Sequence, residues 1–388
     1  MKALINKVLI KKPLKTSVLN SFTQTLSATV MVLTLSAASC AFAESIYEQR
    51  NLVSDGFVAA DHTDTNLVNA WGLAFNPTGP VWVADNGAGV STLYDGTGTA
   101  VSLVVQIPGP LTSAAAGSPT GMVFSASATA FPVKVGNVSG PSRFIFATEQ
   151  GTLAGWAPNI DLTHAFTVAD SSSRNAIYKG LAVSANGTGF LLYATDFHNN
   201  KIDIFDSNFQ PTKVSGNFSD PFVPKDFAPF GIQAIGGNLF VTYALQDADK
   251  HDDVHGRGLG FVDVFDPNGV LLRRIAARGP LNAPWGLALA PAGFGKFSNS
   301  LLVGNFGDGR INAYDLVSGK FLGSLRGANH QPLEIEGLWG LAFGNGFAGQ
   351  SVNRLYFTAG PGDEAHGLYG QLSAKLSMGR DWAIDRDD

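Results

Sequence analysis

Short apolar runs recur along the chain, each bounded by Gly, Asn or Asp. They are too short and too rich in β-branched and aromatic residues to read as helices. Val81-Trp82-Val83-Ala84, Phe144-Ile145-Phe146-Ala147, Leu191-Leu192-Tyr193-Ala194, Leu239-Phe240-Val241-Thr242, Leu301-Leu302-Val303-Gly304 and Leu355-Tyr356-Phe357-Thr358 are predicted strands. Each follows a phrase centred on glycine: Trp71-Gly72-Leu73, Thr120-Gly121-Met122, Lys179-Gly180-Leu181, Phe230-Gly231-Ile232, Trp285-Gly286-Leu287 and Trp339-Gly340-Leu341. An alternating run comes next, clearest in Lys201 to Asp206, Phe261 to Asp266 and Arg310 to Asp315, and a fourth in Val101 to Ile107, Leu271 to Ala276 and Lys320 to Leu325.

The six glycines are 49 to 59 residues apart, one supersecondary unit per copy. Four short strands per unit, six times over, predict an all-β, six-bladed β-propeller forming one domain. The sixth unit has no fourth strand after His366 to Leu372, whereas Gln49 to Ser54 have no place in the first. Their pairing would close the ring and remove an exposed edge.

Lysines 2, 7, 11, 12 and 15 precede an apolar stretch from Leu26 to Ala38, and Ala41-Phe42-Ala43 supplies small residues for cleavage. Residues 1–43 are expected to be a secretory signal peptide, 44–376 the propeller and 377–388 a charged tail. The apolar stretch is short for a membrane span. Ser39-Cys40 is lipobox-like, but Ala37 stands where Leu is usual, so cleavage after Ala43 is favoured over lipid anchoring at Cys40. The expectation is a secreted or periplasmic monomer without stable membrane insertion. Cleavage removes the only cysteine and leaves 21 basic against 31 acidic residues, a balance of −10. That sign disfavours nucleic acid as a partner and, with no thiol remaining, excludes a cysteine nucleophile. No Gly-x-Ser-x-Gly elbow or P-loop is present.

Two rings of residues should face the channel mouth. The residues before the motif glycines are Trp71, Thr120, Lys179, Phe230, Trp285 and Trp339; packing between blades competes with ligand contact for the aromatics. Lys179 is costly there without a partner, so it should meet a ligand or a carboxylate. The ends of the second strands give Asp85-Asn86, Glu149-Gln150, Asp196 with His198, Tyr243, Asn305 with Asp308, and Asp363-Glu364 with His366. Such residues often only cap turns. If Asp85, Glu149, Asp196 and Asn305 converge, oxygen ligands suit a divalent cation such as calcium, and added histidine suits zinc or manganese. No cofactor is certain from this pattern.

Blade four carries an insertion, Gln246 to Gly258, expected to be a mobile part of the ligand face. Its Asp247, Asp249, Asp252 and Asp253 lack the EF-hand spacing, and its His251 and His255 lack the metalloprotease glutamate.

The phrases Asn66 to Phe75, Tyr193 to Asn199, Gln246 to Asp253, Asn305 to Asn312 and Thr358 to Leu368 resemble a family of exported bacterial propellers, some with a PEP-CTERM sorting tail. The resemblance spans essentially all of the chain after residue 43 and implies no known reaction; the tail's Pro-Glu-Pro motif is missing here. More broadly the repeats are similar to NHL propellers and to the gluconolactonase and calcium-dependent phosphotriesterase group. That group commonly places acidic or amide ligands before the strand-one glycine, where this chain has Trp, Thr, Lys, Phe, Trp and Trp.

Two function classes follow. A binding scaffold would present Trp71, Phe230, Trp285 and Trp339 to a small organic or carbohydrate ligand oriented by Lys179. A metal-dependent hydrolase or lyase would use Asp85, Glu149, Asp196 and Asn305 as ligands and His198 or His251 as base.

Overall fold

The computed structural model describes residues 45–376. The expected signal segment, Cys40 and the charged tail lie outside them. Among the described residues there is no α-helix, and no helix is long and apolar enough to cross a membrane. Six small antiparallel sheets form the blades of a β-propeller.

Every blade begins with the glycine phrase. The innermost strands are Ala70–Phe75, Pro119–Phe124, Tyr178–Ala185, Phe227–Ile235, Pro284–Leu289 and Leu338–Phe343. They crowd together at the axis, which explains the glycines: a Cβ on Gly180 would sit 2.9 Å from the Phe230 carbonyl of the next blade. The second strands, Val81–Asp85, Phe144–Thr148, Phe190–Asp196, Asn238–Leu245, Leu301–Asn305 and Arg354–Ala359, are buried almost throughout, as apolar runs packed on both faces must be.

Ring closure matches the sequence reading. Ser45–Ser54 pairs antiparallel with Leu368–Leu376 along its whole length, with one bulge near Asn51. Tyr47, 2% exposed, locks this outer strand by donating from its hydroxyl to the Phe294 carbonyl at 3.1 Å. His62–Thr63 adds a short parallel fifth strand.

Blade three follows the four-strand plan least closely. Its third strand, Lys201–Phe205, meets only a bridge between Phe205 and Pro211 where a fourth strand would run. Pro211 sits at a non-hydrogen-bonded position of this bridge, and Thr212 N still donates to the Ile204 carbonyl at 2.9 Å before the pairing ends. The chain then departs toward blade four, where Gly216 N donates to the Asn268 carbonyl at 2.7 Å.

Candidate functional site

The axis is closed by aromatic packing. Trp71 and Trp339 stack at 3.6 Å between ring centroids, and Trp285 meets both edge-on at 6.1 and 5.7 Å. Phe230 packs edge-on to Trp339 at 5.9 Å, while Phe306 stacks on it at 3.9 Å. The four ring aromatics are at most 9% exposed. They are a plug, and none offers a free flat face to a ligand. Two indoles also fasten neighbouring elements: Trp285 Nε1 donates to the Lys179 carbonyl and Trp339 Nε1 to Asn69 Oδ1, both at 3.1 Å.

Lys179 lies at the top of this plug. It is 1% exposed, with Nζ 2.6 Å from Glu149 Oε1, 3.0 Å from Asp252 Oδ1 and 5.0 Å from the Trp71 ring centroid. Burial alone would push its pKa down, but the two carboxylates outweigh it and hold the ammonium above its ordinary value. The carboxylate partner anticipated for Lys179 is present, in Glu149 and in Asp252.

Asn69 links this cation to blade six. Its backbone is left-handed, φ 48°, a conformation that asparagine tolerates better than most side chains. Its Nδ2 donates to Asn86 Oδ1 at 3.2 Å and to Glu364 Oε2 at 2.7 Å, and Asn86 Nδ2 in turn donates to Glu149 Oε2 at 3.1 Å. Burial raises the Glu364 pKa, opposed by the Asn69 hydrogen bond and the Lys179 charge.

The four proposed metal ligands do not converge. Asp196 caps its own turn, accepting from the Ile177 and Asn199 amides and from Asn199 Nδ2. Asn305 donates to the Pro280 carbonyl and to Asp308 Oδ1. Asp85 is fully enclosed in blade one, where burial raises its pKa well above the carboxylate range and the Thr92 hydroxyl offsets only part of that. Glu149 alone reaches the mouth. Equal spacing in each blade gave equal positions, but Asp196 and Asn305 bond within their own turns and Asp85 is shut inside its blade.

His198 is half-buried in the blade-three turn, its Nδ1 without a hydrogen bond. His251 stands apart from it on the blade-four insertion. That insertion is tied down along its length. Asp247 N donates to the Asp252 carbonyl at 2.8 Å, Val254 N to the Leu245 carbonyl at 2.8 Å, Gly256 N to Asn282 Oδ1 at 2.6 Å and Gln246 Nε2 to the Phe197 carbonyl at 2.6 Å. The expected mobile loop is therefore an anchored hairpin that carries Asp252 to Lys179. Glu149, His251 and Asp252 place ligand-type atoms within 4.8 Å of one another. The Lys179 ammonium already occupies the space between the two carboxylates, so the set suits a metal ion poorly.

Beside this closed network lies an open cleft of about 620 Å³ between blades four, five and six. Its walls carry Asp252, Asp253, Asp308, Glu334, Glu336, Asp363 and Glu364, with Phe306 and His255 as the aromatic side. Arg310 pairs with Glu334 at 2.7 Å, and Lys179 serves Asp252. Among the described residues, the other five carboxylates have no lysine or arginine partner in an ion pair. His255 lies 3.2 Å from Asp253 Oδ2, and that contact raises its pKa against the opposing effect of burial, helped by Glu364 and Asp363. Glu334 and Glu336 were not singled out from the sequence, although their alternation around the buried Ile335 was a signal of side chains facing out before a strand.

No family model matches the chain. Two proteins of Acanthamoeba polyphaga mimivirus, uncharacterized protein R648 and uncharacterized protein L690, are each 33% identical to it over 328 residues, which is 83% of this chain and 78% and 84% of theirs. A solved protein of unknown function from Bacteroides thetaiotaomicron superposes with a TM-score of 0.52 at 11% identity, covering 86% of this chain and 77% of that one. Virginiamycin B lyase from Staphylococcus aureus gives 0.46 at 12% identity, over 85% and 99%. Likeness at such identities concerns the fold alone. The resemblance to exported bacterial propellers, some with a sorting tail, draws no support from these viral relatives. The chain belongs to the propeller family that includes mimivirus proteins R648 and L690.

Proposed function

We propose that this propeller binds a small organic ligand at the mouth of its central channel and that the ligand carries positive charge. The observation that supports this reading is the 620 Å³ cleft, a size suited to a small molecule, in which carboxylates outnumber cations. A neutral carbohydrate stacked on the ring indoles fits less well, because those indoles are spent on one another. Phe306 is the aromatic wall that remains, and it rests on Trp339 of the plug. Indole fluorescence should therefore report occupancy.

The test is titration of the folded protein with choline, spermidine and arginine beside glucose as neutral control. An organic cation should bind saturably and weaken as salt is raised. Equal binding of glucose, or no response to any cation at millimolar concentration, would overturn the reading.

The second reading, a metal-dependent hydrolase or lyase, is favoured by the clustering of Glu149, His251 and Asp252. It requires Lys179 to release both carboxylates. Metal analysis of the purified protein followed by a lactone and phosphotriester screen tests it: a stoichiometric metal with turnover that is lost in Glu149→Gln would move the function to this class.

A further inference from the structure

The face opposite the mouth carries a groove of another kind. The first strand of each blade begins at the mouth and ends at this far face, where Phe75 pairs with Val81 in blade one and Phe124 with Phe144 in blade two. Between these two blades lies an open groove of about 650 Å³, a size that suits a small molecule. Pro77, Pro80 and Phe124 wall it, with Val101, 40% exposed, at the rim. Its floor is Trp82 stacked on Phe144 at 4.1 Å, with Trp156 tilted against Trp82 at 4.6 Å. These three rings are at most 7% exposed and form a firm apolar base.

A single charge stands in this groove. Arg143 is the only ionisable residue of its lining, and its backbone is fixed on both sides: the amide donates to the Trp156 carbonyl and the carbonyl accepts from the Ser125 amide, both at 2.8 Å. The half-buried guanidinium donates from Nη1 to the Ser127 carbonyl at 3.1 Å. Among the described residues that is its only side-chain hydrogen bond, so most of its donors are left over. Arg50, Arg274 and Arg310 each meet a carboxylate of their own chain, and Arg143 meets none.

We propose that this groove binds a small amphipathic carboxylate, such as a medium-chain fatty acid, with its carboxylate on Arg143 and its apolar body against Pro77, Val101 and Phe124. The spare guanidinium N–H groups match the paired hydrogen bonds that a carboxylate accepts. A small inorganic anion would leave the walls unused, and a neutral apolar ligand would leave the cation unanswered. The acidic mouth on the opposite face would repel the same molecule, so the two sites do not compete.

The probe is sodium octanoate, titrated calorimetrically at millimolar concentration into the intact protein beside acetate, octanol and octylammonium. Octanoate should bind saturably and acetate should not; octanol and octylammonium should bind about tenfold more weakly, or worse, for want of the charged hydrogen bonds. Arg143→Gln, which can still donate to Ser127, should lower octanoate affinity about tenfold and leave that of octanol unchanged. Val101→Asp at the exposed rim should weaken both, with the melting curve of each variant confirming that it is folded. The proposal is overturned if octanoate does not saturate, if octanol binds as tightly, or if either substitution leaves octanoate affinity untouched. Binding to anionic vesicles without binding to free octanoate would give the groove to a membrane surface, and would overturn it too.

Discussion

The channel mouth has two sides of opposite character. Around Lys179, on the side of blades one to three, charge is paired: one buried ammonium meets Glu149 and Asp252 beside an indole, Asn86 takes the second Glu149 oxygen and Asn69 holds Glu364. Across the axis, blades four to six leave an open cleft in which carboxylates outnumber the cations that meet them, although Asp253 and Glu364 are themselves largely buried in its wall. Buried charge persists only when paired, so the first side is built to be permanent. The second keeps its charge unanswered and is free to bind. Asp252 and Glu364 belong to both sides, and that is where the two can communicate.

The largest expected effect comes from breaking the closed side. Lys179→Met keeps the apolar stem over Trp71 and strands Glu149, and should cost about 3 kcal/mol in denaturant titration. Asp252, with 61% of its side chain exposed, can return to water and adds little to that loss. A melting curve unchanged from the parent would show that the enclosed pair does not hold the mouth together.

Neutralising the open side should do the reverse. Asp308→Asn combined with Asp363→Asn removes two cleft carboxylates outside the lysine network, and stability should stay within about 0.5 kcal/mol. Affinity for an organic cation, measured by titration at low salt, should fall about tenfold, and most of its salt dependence should go with it. Loss of folding would show these carboxylates to be structural.

How far the sequence carried this picture depends on the reach of each inference. The blades and the closing strand were legible because they rest on a repeat: a missing fourth strand in unit six left Gln49 to Ser54 as the only candidate. The ring of aromatics was placed at the axis with packing between blades and ligand contact both open, since spacing says which residues approach the axis and not whether they fill it. Asp85 and Asp196 have identical positions in their blades and yet turn inward to their own surroundings. Asp252 was noted only as part of an acidic loop; that it crosses to a lysine 73 residues earlier is a tertiary fact with no local signature.

Glu364 tests the seam between the two sides. Burial raises its pKa above the ordinary 4.5, with Asn69 and Lys179 pulling the other way. A raised value means that the folded state holds the proton more tightly than the unfolded chain, so the stabilisation is complete below 4.5 and is lost as pH rises through the folded value. Glu364→Gln can still accept from Asn69 and carries no charge to desolvate. Thermal melts should show a small gain for the variant at neutral pH and none near pH 4. A variant less stable than the parent at pH 7 would mean that the carboxylate is needed in its charged form.

The smallest effect concerns His255, half-exposed on the cleft wall, and it separates the charge of the open side from its shape. Its contact with Asp253 raises its pKa above 6.5, burial opposing, so any stabilisation it lends is full below 6.5 and fades as pH rises through the folded value. Over that same interval the cleft loses a positive charge, and a cationic ligand should bind more tightly as pH increases from 6 toward 9. His255→Gln keeps a polar side chain of similar reach but cannot titrate. Its affinity should be flat across the interval and close to that of the parent at the alkaline end, where the parent imidazole is neutral. Titration with choline, whose own charge does not change with pH, gives the comparison directly. If the parent and the variant show the same pH dependence, His255 does not tune the cleft, and the carboxylates alone set its preference for cations.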